Sequence, residues 1–158
     1  MEKEKDLSKV HASEMVVCHP GKRIGIVTSE WNPEITHAMR DACAKTLEEH
    51  GVQSNRIQFV SVPGSFELPF AAQQIIQSDG MDAVICIGCV IQGETRHFEF
   101  IAQAVAQGIM RVSLDNNTPV IFGVLTTQTM EQAQARSGGI HGNKGVEAAY
   151  TCLKMLSI

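Results

Sequence analysis

The sequence predicts an α/β fold: a doubly wound three-layer sandwich with a four-stranded parallel sheet and helices on both faces. Two observations predict it. Short β-type apolar runs alternate with stretches of helical periodicity along most of the chain, the pattern of successive βαβ units. One run, "DAVICIGCV" at 82–90, is apolar almost without interruption. A strand covered by helices on both sides has that composition, because it has no face left for water.

The elements follow in order. "RIGIVTS" (23–29) is a first strand. Asn32 and Pro33 open a helix, proline being tolerated in a first turn where its missing N–H would be unpaired anyway. Ile35, Ala38, Met39, Ala42 and Leu47 recur at helical spacing, and Gly51 supplies the stop. "RIQFVSV" (56–62) is a second strand, turned by "PGS", and a helix over 66–78 ends near Gly80. The third strand is the 82–90 run. "HFEFIAQAVAQGIMRVSLD" (97–115) is a helix with Phe98, Ile101, Ala102, Val105 and Ile109 on one face. "PVIFGVLTT" (119–127) is the fourth strand, 129–136 a short helix, and 143–156 a closing one. Residues 1–21 read as a flexible N-terminal arm and 22–158 as a single domain, the size expected of 158 residues.

Composition excludes several function classes. Hydrophobic residues make up 44%, enough for one core, while a formal net charge of −4 argues against nucleic acid or an anionic membrane surface as the main partner. No apolar run approaches the roughly 20 residues needed to span a bilayer. The polar start "MEKEKDLSKVHASE" lacks a secretory h-region, so a cytoplasmic location is expected. Five cysteines scattered through apolar segments suit reduced thiols better than a disulfide framework.

Ligands of such sheets bind at the carboxyl ends of the strands. The loops that matter are therefore "SEWN", "VPGSFE", "VIQGETRH" and "TTQT". Cys86 and Cys89 form a C-x-x-C pair ahead of the third loop, but residues three apart on a strand point to opposite faces. They diverge instead of converging on a metal, and neither starts a helix where a dipole would lower a thiol pKa. No metal is expected. His97 differs: it follows the Gly93 turn and opens a helix at the sheet edge. An imidazole there can exchange protons near neutral pH, and Thr95 offers a hydroxyl as N-cap. The structural alternative is a capping Thr95 and a surface His97.

In "VPGSFELPFAA", Ser65, Phe66 and Glu67 present a hydroxyl, a ring and a carboxylate together. Ring and carboxylate suit a flat heterocycle bearing N–H donors, since one stacks and the other accepts. The structural alternative puts Ser65 at an N-cap and Phe66 in the core. Trp31, the only tryptophan, is a second stacking wall or a packing residue. The glycine-rich "ARSGGIHGNKG" (135–145) carries Arg136, His141 and Lys144; such a loop approaches an anion closely, and an arginine suits phosphate. Its plainer reading is a helix C-cap and a turn. Neither G-x-G-x-x-G nor a Walker pattern is present, so a dinucleotide or nucleoside triphosphate is not favoured.

Taken together, "IGIVTSEWNPEIT", "VPGSFELPFAA", "GCVIQGETRHFEFIA", "PVIFGVLTTQTMEQAQAR" and "GNKGVEAA" resemble the lumazine synthase (6,7-dimethyl-8-ribityllumazine synthase) family over about residues 23–150. That family shares the predicted fold. The resemblance implies a transferase of riboflavin biosynthesis, condensing 5-amino-6-(D-ribitylamino)uracil with L-3,4-dihydroxy-2-butanone 4-phosphate without metal or organic cofactor. It implies Trp31 stacking on the pyrimidine, and Ser65, Phe66 and Glu67 on the ribityl chain and nearby polar groups. Cys89, Val90 and Ile91 would line the ring pocket, Glu94 and Thr95 would contact phosphate, and His97 would be the general acid/base. Phe122 and Arg136 match residues lent by a neighbouring subunit, with Arg136 on the phosphate, and Lys144 matches a nearby basic position. A homo-oligomer follows, a pentamer or a sixty-subunit shell of pentamers, with riboflavin synthase as a candidate partner.

The sequence departs from the family pattern at Trp31, where phenylalanine is usual, and at Gln92, where arginine is common. "GGIHGNKG" stands for the usual "GTKAGNKG", so Ile140 and His141 remove a lysine from that loop. Two alternatives to the enzyme remain in view. One is a flavin- or lumazine-binding protein with little catalysis, suggested by the larger ring of Trp31 and opposed by the retained His97 and Arg136. The other is a shell-forming scaffold, which is compatible with catalysis.

Overall fold

The computed structural model describes residues 19–158. Most of the arm expected over 1–21 therefore lies outside the described residues. Elements run β1 (Ile24–Ser29), α1 (Pro33–Glu49), β2 (Ile57–Val62), α2 (Leu68–Asp79), β3 (Ala83–Ile91), α3 (His97–Asp115), β4 (Val120–Thr127), α4 (Met130–Ala135), β5 (Ser137–Gly139), β6 (Gly142–Asn143) and α5 (Lys144–Met155). Two single-turn 3₁₀ segments, Ser54–Arg56 and Ser65–Glu67, precede β2 and α2. All four expected strands form one parallel sheet in the order β2-β1-β3-β4, the order that places helices on both faces.

Two apolar layers hold the sandwich. Below the sheet, Ile35, Met39 and Leu47 of α1 pack with Ala148, Ala149 and Leu153 of α5 against Ile24, Ile26, Ile85 and Ile87. Above it, Leu68, Ala72 and Ile75 of α2 pack with Val105 and Ile109 of α3 against Val27, Val84 and Cys86. Each fully buried Leu or Ile contributes about 1.5–3 kcal/mol. The strand period of two is visible in β3: Cys86 joins the upper layer and Cys89 the lower, so the C-x-x-C pair does diverge across the sheet. α5 crosses α1 so closely that a Cβ on Gly145 would run into the backbone of Met39.

Local chemistry sets the element ends. α1 begins with Pro33 after Asn32, which holds φ 58°, a left-handed conformation that asparagine tolerates better than most residues. Among the described residues no helix is long and apolar enough to cross a membrane. The β5–β6 hairpin was not expected; its five residues carry no apolar alternation, and Gly138 and Gly142, at φ 116° and 81°, make its bends.

Candidate active site

The carboxyl edge of the sheet is built by lacing loops together. After β1, the Glu30 amide donates to the Val62 carbonyl at 2.8 Å and the Trp31 amide to that of Pro63 at 3.1 Å. Asn32 Nδ2 donates to the Cys89 carbonyl at 3.4 Å, and the buried Thr36 hydroxyl donates to the Ser29 carbonyl at 2.9 Å. The loops following β1 and β2 are thereby fixed to each other and to β3. Trp31 is left 65% exposed, and Phe66, one loop away, 58% exposed. Phe66 is therefore not a core residue. Glu67 accepts from the Gly64 amide at 2.9 Å, which holds its carboxylate next to the glycine that the Trp31 indole overlies.

Ser65 is buried against Gly88, where a Cβ would come within 2.5 Å of its Oγ. That hydroxyl has no protein partner, and neither do the buried hydroxyls of Thr28 and Ser29 at the end of β1. A buried unpaired polar group costs about 1–3 kcal/mol. Three of them gathered at one strand edge mark it as the polar end of an apolar core, where a ligand or water could meet them. Sequence reasoning did not single out Thr28, Ser29 or Gly88 at this edge. The signal available was "TS" ending an otherwise apolar strand.

Cys89 sits low in the edge, its thiol pushed up to about 11 by burial, so it is a neutral wall at physiological pH. Val90 and Ile91 are half-buried beyond it. The Gln92 amide continues the β3–β4 ladder with a 2.8 Å bond to the Thr127 carbonyl. Glu94 and Thr95 are exposed in the loop, and His97 is exposed as the first residue of α3. One expectation is corrected: the N-cap is Arg96, not Thr95, and makes no side-chain cap bond. Thr95 Oγ1 accepts only a 3.4 Å bond from the His97 amide, because the loop places it one residue too early. Arg96 turns back along its own helix, 3.4 Å from Glu99 and 5.5 Å from the centroid of Phe100.

Phe122, Arg136 and Lys144 gather elsewhere, around a cavity of about 470 Å³ at the β4 edge, lined also by Gln132, His141 and Glu147. Arg136, at the C-cap of α4, is oriented by a 2.9 Å bond from Nη1 to the Gln132 carbonyl. Lys144 Nζ lies 3.9 Å from Glu147. None of Trp31, Phe66 or His97 lines this cavity. The expected site residues thus form two groups on one chain, an edge that carries the exposed rings and His97, and a cationic cavity. Among the described residues, no cluster of three His, Cys, Asp or Glu side chains is arranged to hold a metal.

Comparison with known proteins adds to this geometry. The family model described as 6,7-dimethyl-8-ribityllumazine synthase matches residues 21–158. A protein of that name from Cytophaga hutchinsonii is 56% identical over 133 residues, covering 84% of each chain. One from Porphyromonas gingivalis is 50% identical over 145 residues, 92% of this chain and 90% of the relative. One from Bacteroides fragilis is 48% identical over 134 residues, 85% and 94% of the two chains.

Proposed function

The chain belongs to the 6,7-dimethyl-8-ribityllumazine synthase family, and from that premise we propose how its two groups of residues divide the reaction. The enzyme is a transferase of riboflavin biosynthesis that joins 5-amino-6-(D-ribitylamino)uracil to L-3,4-dihydroxy-2-butanone 4-phosphate. The uracil amine attacks the ketone and water is lost as an imine forms. Phosphate leaves by elimination, the enol tautomerises, and the ribityl-bearing nitrogen closes the ring with loss of a second water.

In this reading Trp31 and Phe66 stack against the pyrimidine. Glu67 and Ser65 take the polar groups of the ribityl chain, and Cys89, Val90 and Ile91 form the apolar floor. His97 moves protons between nitrogen, carbon and oxygen, and Glu94 and Thr95 line the phosphate end. Arg136 of a neighbouring subunit, with Phe122 and Lys144 beside it, binds the leaving phosphate. Much of the rate comes from holding two substrates in register. The observation that carries the reading is the exposed indole of Trp31, held over Gly64 close to the Glu67 carboxylate at the sheet edge, with Phe66 of the same loop also exposed. A ring left in water by a rigid loop is suited to a flat ligand.

The division into two groups favours a site completed between subunits, and the family resemblance implies a ring of at least five. An apolar groove of about 660 Å³ along β4, walled by Met110, Leu114, Phe122 and Met155, supplies surface for such packing. A cytoplasmic pentamer or a shell of pentamers, passing its product to riboflavin synthase, is consistent with this. The test is to mix the purified protein with both substrates and quantify products. Lumazine and inorganic phosphate should appear in equal amounts; folded protein that releases neither overturns the assignment.

A further inference from the structure

We propose that His141 is a third binding residue of the phosphate subsite, acting with Arg136 and Lys144. The inference rests on the reading that the Arg136 cavity receives the substrate's phosphate. Its basis is the way one closed loop presents three donors to one space. The His141 amide donates to the Ala135 carbonyl at 2.8 Å and the Lys144 amide to the Arg136 carbonyl at 2.9 Å. Between them β5 pairs with β6, Ser137 opposite Asn143 and Gly139 opposite Gly142. Gly139 lies so near α4 that a Cβ would come within 2.7 Å of Ala135 Cα. The loop is thus pinned at both ends and pressed onto the helix that carries Arg136. His141, half-buried, lines the same cavity as Arg136 and Lys144.

The charge balance gives His141 a task. Two permanent cations face the cavity, but Glu147 faces it too and stands 3.9 Å from Lys144. Among the described residues, a carboxylate this close takes up part of the Lys144 charge, so a phosphate monoester of about −1.5 to −2 gains from a further donor there. An imidazole brings a donor N–H in either charge state. It can therefore serve the anion without a further fixed cation. A histidine offered by a loop pinned by backbone hydrogen bonds at both ends is preorganised for this, since little motion is lost on binding.

The test uses the assembled enzyme carrying His141→Ala, His141→Gln or Arg136→Ala, with inorganic phosphate as competitive inhibitor and each substrate varied in turn. His141→Ala should raise both the phosphate inhibition constant and the KM for the butanone phosphate roughly fivefold, the value of one ordinary hydrogen bond. The uracil KM and kcat should move little. His141→Gln, which keeps an N–H donor, should recover most of the loss. Unchanged phosphate inhibition in folded His141→Ala, with Arg136→Ala strongly impaired, overturns the role of His141 and leaves the subsite standing. Unchanged inhibition in both variants overturns the subsite itself. An equal loss in both KM values and kcat makes His141 a structural residue and also overturns the proposal.

Discussion

The six-membered ring of Trp31 stands over Gly64, so close that a Cβ there would come within 2.6 Å of Cε3. Gly64 itself has ordinary extended backbone at φ −129°, so its need is for space, not for conformational freedom. The indole is positioned by the backbone of the neighbouring loop. Gly64→Ala should displace it without unfolding the chain. We expect riboflavin, a flat tricyclic probe, to bind the wild type and to bind both Gly64→Ala and Trp31→Ala several-fold more weakly, as loss of an aromatic contact of about 0.5–1.5 kcal/mol predicts. Titration of flavin fluorescence measures it. Equal affinity in Trp31→Ala would place the indole in ordinary packing.

His97 and Arg136 should fail in different ways. His97→Ala should lower kcat by about 10²-fold or less, with water substituting for the imidazole, and change the butanone phosphate KM little. Arg136→Ala removes a charge-assisted contact of roughly 1.5–3 kcal/mol, so that KM should rise about tenfold or more. Steady-state kinetics with each substrate varied in turn separates the two. A pure KM effect in His97→Ala would reverse the assigned roles.

The thiols should be silent. Burial pushes Cys86 and Cys152 up to about 12 from an ordinary 9.0, and Cys43 rises for the same reason with Cys152 nearby. These folded-state values lie above the unfolded one. Their contribution to stability is therefore whole below pH 9 and falls as pH rises from 9 toward 12. Urea unfolding midpoints should drop across that window, less steeply in Cys86→Ala. At pH 7 a thiol reagent should react with these three cysteines only on denaturation, and elemental analysis should find no stoichiometric zinc. One zinc per chain surviving chelation would contradict the divergence of Cys86 and Cys89.

Mass in solution tests the assembly. Analytical ultracentrifugation should give at least five chains per particle. A fully active monomer would mean that one chain completes its own site.

Much of this was legible in the chain because burial leaves a strong trace. β3 reads as a strand from its apolar run alone, and the bounds of α3 match the expected 97–115, since a helix of five turns with one apolar face has few alternative registers. The hairpin was invisible because its order comes from backbone bonds and from Gly139 touching α4, neither of which writes a hydrophobic period. The turn at Ser65–Glu67 was read as the start of a helix, for the two differ only in which carbonyl accepts. Of the site, residue types were readable but geometry was not. "WNPE" gives no hint that the indole rests on a glycine thirty-odd positions later, nor "TS" that its hydroxyls are buried without partners.

The strand edge and the cationic cavity are carried by the same chain, yet Trp31, Phe66 and His97 take no part in the cavity's lining. If each must face its counterpart on a neighbour, activity belongs to the seam and not to the subunit. Two crippled populations, one lacking His97 and the other lacking Arg136, would then rescue each other when refolded together. In an even mixture about a quarter of the seams in a closed ring would pair an intact edge with an intact cavity. A gene for this enzyme would accordingly tolerate certain pairs of damaged alleles better than either allele alone.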